Sequence, residues 1–237
     1  MGWTPPRCHR AELMDRFGHD AEQLEEVLDD IEQVNRWLGG LRTLQTAMQP
    51  ILAAANGHRP LRILDVGTGS GDLPRAIVRW ARECRTTVDI VAVDRDPTTA
   101  TIAAKRSIDH STIRVVCADA NRLPFSAGSF DVVTASMFLH HFRHEQVVAL
   151  LREFRRLAST AVIVNDLRRD RVAWGFIWLV AHLTGRGAMF RHDAPLSVLR
   201  GFTPAELEAA AIDADCASPE LRRRWPYRLL LTCAGDA

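Results

Sequence analysis

The chain has 237 residues, 47% of them hydrophobic and 25% charged, which is enough to bury the core of one large α/β domain. Its 30 lysines and arginines nearly balance 29 aspartates and glutamates, so no overall field draws it to nucleic acid or anionic lipid. We therefore expect a small-molecule partner and no nucleic acid.

The cysteines and the apolar runs indicate a cytoplasmic protein. The five cysteines are widely spaced, with no Cys-x-x-Cys pair and no cysteine–histidine cluster at the spacing of a zinc site. The N-terminus lacks an apolar core of signal-peptide length, and the longest apolar run, 172–183, is shorter than the about 20 residues of a spanning helix. These features predict reduced thiols, no metal and no transmembrane segment.

Helical periodicity comes first along the chain, followed by alternating strands and helices. Apolar residues at helical spacing predict helices over 11–52, with a break at Gly39-Gly40. The segments after residue 60 predict strands at 61–66, 88–93, 112–117, 130–136 and 160–166, with helices at 72–83, after Pro97 and at 147–157. Such alternation is typical of a parallel sheet covered on both faces.

The C-terminal part departs from this alternation. Thr203, Pro204 and Glu206 predict a capped helix that runs to about Asp213. Two short runs on either side of Pro226 predict an antiparallel pair, which completes a seven-stranded sheet. We expect an N-terminal helical cap over 1–58 and a second unit over 59–237, with an insertion at about 171–200.

The insertion contains a segment, 171–190, that is apolar on nearly every side. We favour a lid over a ligand pocket, with Gly185 and Gly187 as a hinge. The alternative is ordinary packing against the N-terminal helices or a dimer partner.

The stretch "LDVGTGSGDL" follows the first strand and carries three glycines beside two acids. A P-loop would need a lysine here, and the third glycine of a dinucleotide motif would fall at Asp72. Because Asp65 and Asp72 would repel a pyrophosphate, the ligand at this turn should carry positive charge. S-adenosylmethionine, with an amino group and a sulfonium, meets that requirement.

"ILDVGTGSGDL" resembles the first motif of the class I S-adenosylmethionine-dependent methyltransferases. The resemblance implies a Rossmann-like seven-stranded α/β fold and S-adenosylmethionine as the cofactor. Asp94 would accept the ribose hydroxyls and Asp119 the adenine amino group, since both follow parallel strands where open sheets bind ligands. The implied cofactor residues are Asp65, Gly67, Thr68, Gly69, Asp94, Arg95, Asp119, Ala120 and Ser136.

"FDVVTASMFLHHF" resembles the fourth-strand segment of methyltransferases of the ubiquinone and menaquinone type. "VNRWLGG", "VNDLRRD" and "RHDAPLS" resemble segments of the group associated with bacterial type III polyketide synthases. The resemblance implies methyl transfer to a small phenolic or quinone-like acceptor, with O-methylation favoured over C-methylation. Candidate bases are His140, His141 and His192, and candidate acceptor contacts are Asn165, Trp178, Arg36 and Arg42.

Two other functions stay open at this point. An NAD-type oxidoreductase would share the sheet and an acid after the second strand, although the glycine spacing disfavours it. A non-catalytic module with the methyltransferase fold is the other alternative. A homodimer is left open as well.

Overall fold

The computed structural model describes residues 4–16, 18–55, 57, 59–184 and 186–236. Within these residues it contains one seven-stranded sheet of order β3-β2-β1-β4-β5-β7-β6. The strands are β1 (Leu61–Val66), β2 (Val88–Asp94), β3 (Ile113–Cys117), β4 (Phe130–Ser136), β5 (Ala158–Leu167), β6 (Glu220–Arg224) and β7 (Arg228–Ala234).

The first five strands are parallel, and the last two form the antiparallel hairpin. The central strands are almost wholly buried, as expected of parallel strands that are covered by helices on both faces. The predicted fold class is confirmed, and most strand boundaries agree with the sequence prediction to within two residues.

Eight helices lie within the described residues. They are α1 (Ala21–Trp37), α2 (Gly40–Ala54), α3 (Asp72–Glu83), α4 (Pro97–Arg106), α5 (His144–Leu157), α6 (Arg171–Leu183), α7 (Ala188–Arg200) and α8 (Pro204–Asp213). The α8 capping box is as predicted, because Thr203 Oγ1 accepts from the Glu206 amide and Glu206 Oε2 accepts from the Thr203 amide. None of these helices is long and apolar enough to cross a membrane.

The N-terminal segment corrects the sequence prediction, because the first helix begins at Ala21 and not near residue 11. Residues 4–16, which we call the strap, have irregular backbone with one turn. The amides of Leu13 and Met14 donate to the Asp193 carboxylate of α7, at 2.8 and 3.0 Å. These bonds tie the strap to α7 and satisfy two backbone donors without a helix.

The helices leave the carboxyl ends of the parallel strands open to the strap, α1, α6 and α7. One apolar cluster fills the sheet face covered by α5 and α8, and a second fills the face covered by α2 and α3. The insertion after β5 consists of α6 and α7, which pack on α1 and on the strand ends. Of the two predicted hinge glycines, Gly185 lies outside the described residues.

Candidate active site

A cavity of about 760 Å³ lies at the carboxyl ends of the parallel strands. Its wall comes from the strap, α1, the glycine turn, the loops after β2, β3 and β4, one face of α6, part of α7 and the start of β7. All nine predicted cofactor residues line it, because parallel strands bring their carboxyl ends to one edge of the sheet.

The glycine turn has a backbone that other residues adopt with strain. Gly67, Gly69 and Gly71 have φ angles of 72°, 54° and 75°. A Cβ at Gly67 would lie 2.3 Å from Cδ2 of Phe138, a residue of the loop after β4. The glycines therefore allow the turn and the loop after β4 to approach each other across the cavity.

Asp65 is a deeply buried acid of the site, with 2% of its surface exposed. Thr134 Oγ1 donates to its carboxylate at 2.7 Å. Burial raises the pKa of Asp65 to about 7, and the nearby carboxylates of Asp72 and Asp94 add to the rise. A cationic group that arrived beside Asp65 would favour the ionised carboxylate.

Asp94 and Asp119 complete the acidic wall. Asp94 accepts the amides of Gly69 and Asp96, at 3.0 and 3.1 Å, so it fixes the turn as well as facing the cavity. Asp119 accepts both the amide and the side chain of Asn121, and these bonds lower the pKa of Asp119. We call Asp65, Asp94, Asp119 and the turn 67–71 the acidic half of the cavity.

The strap closes over the end of β2. The Arg95 guanidinium donates to the backbone oxygen of Asp15 at 3.0 Å, so this predicted cofactor residue also fastens the strap. Glu12 and Asp15 thereby line the cavity, although the sequence prediction had passed over both. The sequence signal that could have indicated these two residues was the presence of two acids in one polar N-terminal segment.

The three candidate bases occupy different environments. His140 is 3% exposed, and its Nδ1 lies 2.7 Å from Asp166 Oδ1, while its Nε2 lies 3.6 Å from Glu12 Oε1. Burial disfavours the charged ring, but the two carboxylates outweigh it and raise the pKa of His140 to about 9. His140 is therefore protonated at neutral pH and cannot accept a proton there.

His141 lines the cavity and is only partly buried. Its Nδ1 lies 2.9 Å from Asp15 Oδ1. The pKa of Asp15 is lowered because His141 and Arg200 outweigh its burial, so the carboxylate stays charged beside the ring. His192, by contrast, does not line the cavity, and its half-exposed ring faces Asp193 at 2.7 Å.

Glu12, His140 and His141 could also hold a metal ion, since one ligand atom from each lies within 4.8 Å of the others. Arg200 Nε, however, lies 3.7 Å from the same Glu12 oxygen that faces His140. A guanidinium beside the ligand atoms disfavours a further cation, and the charges of Arg200 and a protonated His140 already face the carboxylates of Glu12 and Asp166. The absence of a metal stays a prediction.

The structure does not bring the four predicted acceptor contacts into the cavity wall. Asn165 is fully buried and donates to Ser136 Oγ at 3.0 Å, so it supports a lining residue from behind. Trp178 stacks on His182 on the outer side of α6, because the helix turns Ala173 and Ile177 inward. Arg36 and Arg42 are exposed on the outer faces of α1 and α2.

A second part of the wall is mainly apolar. Val172, Ala173, Phe176 and Ile177 of α6 line it together with Met137 after β4, Tyr227 before β7, and Asn35 and Arg228. We call these eight residues the apolar half. Arg228 was missed from the sequence, although a lone arginine at the head of the run "RLLLTC" was a signal for it.

Residues 63–160 match the family described as "Methyltransferase domain". The ubiquinone/menaquinone biosynthesis C-methyltransferase UbiE of Burkholderia vietnamiensis is 32% identical over 123 residues, which are 51% of this chain and 48% of that protein. The protein of the same description from Stutzerimonas stutzeri is 28% identical over 165 residues, 62% of each chain. The chain thus spans about half to three-fifths of the length of these curated relatives.

Solved structures show the same fold. A SAM-dependent methyltransferase from Aquifex aeolicus superposes with a TM-score of 0.64 at 13% identity, over 92% of this chain and 100% of that one. The magnesium protoporphyrin IX methyltransferase of Synechocystis, with bound SAH, gives 0.57 at 16% identity, over 84% of each chain. The predicted resemblance to class I methyltransferases, and to the ubiquinone/menaquinone type among them, is confirmed.

Proposed function

We propose that this protein transfers a methyl group from S-adenosylmethionine to a small phenolic or quinone-like acceptor. The observation that carries the proposal is the cavity itself, in which three strand-end acids and a glycine turn face an apolar wall. S-adenosylmethionine, when bound, supplies a methyl group on a cationic sulfur.

The residues of the acidic half fit that cofactor. Asp65 is buried beside the turn, where it suits an amino group, and Asp94 follows β2, where it suits the ribose hydroxyls. Asp119 and Ala120 stand after β3 at the position proposed for the adenine. A pyrophosphate would meet the same carboxylates at a cost, which disfavours a dinucleotide.

The apolar half fits a flat acceptor. The face of α6 that bears Ala173 and Ile177 would exclude water, and in-line positioning of the nucleophile supplies much of the rate of such transfers. We propose O-methylation, with His141 as the group that takes the hydroxyl proton while Asp15 orients its ring. The relatives are described as C-methyltransferases, so an acceptor carbon is the second candidate for the nucleophile.

Calorimetric titration tests the proposal and its rivals together. S-adenosylmethionine and S-adenosylhomocysteine should bind with one site per chain, and NAD should not bind. Binding of NAD in their place would make the protein a dinucleotide-binding oxidoreductase. Binding of none of the three would favour a module without this cofactor.

The acceptor is then found with radiolabelled methyl donor and a panel of phenols, quinones and fatty acids. Label that is released by alkaline hydrolysis of a methyl ester, or by hydriodic acid cleavage of an aryl methyl ether, marks O-methylation, whereas label that survives both treatments marks C-methylation. Cofactor binding without turnover on any panel member would favour a non-catalytic module.

A further inference from the structure

Arg228 is a buried cation at the wall of the cavity. It begins β7 beside Leu167 of β5, and only 2% of its surface is exposed. Among the described residues, no carboxylate oxygen forms an ion pair with its guanidinium within 4.0 Å. Buried charges are normally paired, because an unpaired charge loses its hydration without compensation.

The partners that Arg228 does have are weak. Nη2 donates to Asn35 Oδ1 at 3.2 Å, and Nη1 donates to the Met137 thioether. A guanidinium carries five N–H donors, and a thioether sulfur is a poor acceptor. Burial lowers the pKa of Arg228 to about 10, although the carboxylates of Asp166 and Asp72, which lie beyond ion-pair distance, oppose the fall, and the group stays charged at neutral pH.

The open side of Arg228 is the side of the apolar half. Asn35 lies on the side of Arg228 that faces the glycine turn, since its amide nitrogen donates to Asp72 at 3.2 Å. Met137, in the other direction, packs in one cluster with Ala173 and Ile177 of α6. An anion that displaced the thioether would therefore stand among the residues that we assign to the acceptor.

A second guanidinium, that of Arg168, lies near this point but is already partnered. Arg168 follows β5, and its amide donates to the Tyr227 backbone oxygen at 2.9 Å. Its guanidinium lies over the Tyr227 ring and 3.6 Å from Asp170, so it is already partnered. The charge of Arg168 is thus paired with Asp170, whereas Arg228 holds donors without a strong acceptor.

We propose that Arg228 binds a carboxylate on the acceptor, so that the substrate class is an aromatic acid and not a neutral phenol. This inference rests on the proposed function. The cavity then has two electrostatic halves, one acidic toward a cationic cofactor and one with a buried guanidinium toward an anionic acceptor. A fork of parallel donors suits a carboxylate in particular.

The test measures the binding of two isosteric probes, 4-hydroxybenzoate and 4-hydroxybenzamide, to protein saturated with S-adenosylhomocysteine. The wild-type protein should bind the carboxylate at least tenfold more tightly than the amide. Arg228→Met should bring the two affinities within about twofold, and Arg228→Lys should keep part of the preference. Arg223→Met, on the exposed face of the neighbouring strand, is the charge control and should keep it all.

The carboxylate that binds Arg228 could also belong to the cofactor, and a second titration tests this alternative. S-adenosylhomocysteine carries one and 5′-methylthioadenosine does not, so both are titrated into wild type and Arg228→Met. Each ligand should bind Arg228→Met as tightly as it binds the wild-type protein. A loss confined to S-adenosylhomocysteine would give Arg228 to the cofactor and overturn the proposal, as would wild-type protein that binds the two probes alike.

Two further controls keep the outcome decisive. If Arg228→Met does not fold, judged by thermal melting, the wild-type preference and the Arg228→Lys variant carry the test. If no cofactor binds at all, the proposed function fails, and the probe preference of the cofactor-free protein still decides whether Arg228 receives an anion.

Discussion

The acidic and the apolar half of the cavity are built in different ways. Each acid of the acidic half stands at or just after the end of its own strand, and Asp94 is held by backbone amides of its own and the neighbouring loop. The apolar half combines α1, α6, the loop after β4 and β7, which meet only in the folded chain. The first half depends on local backbone geometry, and the second depends on packing between distant segments.

The largest expected effect lies in the acidic half. Asp94→Ala should weaken S-adenosylhomocysteine binding about 100- to 1,000-fold, because two charge-assisted bonds of about 1.5–2 kcal/mol each are lost. Calorimetry measures this, with Asp89→Ala on the same strand as the control. Asp94→Asn separates charge from support of the turn, since it keeps one acceptor oxygen. Unchanged affinity in a folded Asp94→Ala protein would refute the ribose assignment.

The next largest effect is expected at His140, whose ring faces Glu12 of the strap. His140→Gln should remove a pH-dependent stabilisation of about 3 kcal/mol. Between pH 6.5 and about 9 the folded protein keeps a proton that the unfolded chain has released, so wild-type stability is full below pH 6.5 and falls as the pH rises through that window. Urea unfolding at several pH values measures the slope.

The control for this slope is His144→Gln, which removes an exposed pair with Asp213. It should keep the wild-type pH dependence. A wild-type slope that survives in His140→Gln would show that another group holds the proton.

A smaller effect is expected at the turn. Gly67→Ala should lower the free energy of unfolding by about 2 kcal/mol more than Gly57→Ala, because both glycines have a φ of 72° but only the Cβ at Gly67 meets Phe138. Chemical denaturation measures the difference. The double variant Gly67→Ala/Phe138→Ala should no longer show this extra destabilisation. Equal losses of stability at the two glycines would mean that the loop after β4 moves to accommodate the new Cβ without cost.

The smallest effect sharpens the definition of the apolar half. Phe176→Ala should raise the KM for an aromatic acceptor about fivefold, which corresponds to about 1 kcal/mol of lost contact. Trp178→Ala is the matched control, since both side chains are about half exposed on α6 but only Phe176 lines the cavity. Steady-state kinetics with the acceptor identified from the panel measure the KM of both variants. A larger change for Trp178 would place the acceptor outside this cavity.

Trp178 shows where sequence reasoning reached its limit. The apolar character of 171–190 followed from composition, but the division of this segment into α6 and the start of α7 came from the structure, where Asp170 caps α6. Which aromatic side chain faces the cavity depended on the buried face of the helix, formed by Ala173, Ile177 and Ala181, which turn toward the core. Where nearly every position is apolar, periodicity does not identify the buried face.

The strap shows a second limit. Helical spacing predicts a helix from residue 11, but Asp193, which is 180 residues from Leu13 along the chain, accepts the amides of Leu13 and Met14. His140 and His141 were found as a pair in the sequence, yet their separate roles come from Asp166, Glu12 and Asp15.

The sequence by itself determined the sheet, the turn and the acidic half. Alternating strands and helices have few possible arrangements, and each strand carries its terminal acid to the same edge whatever packs around it. Only the tertiary structure decided the apolar half and the partners of the histidines. Arg228 meets Asn35 across 193 residues of chain, and a contact of that kind leaves no periodicity or spacing in the sequence, because it is fixed by how helices and strands pack and not by local backbone geometry.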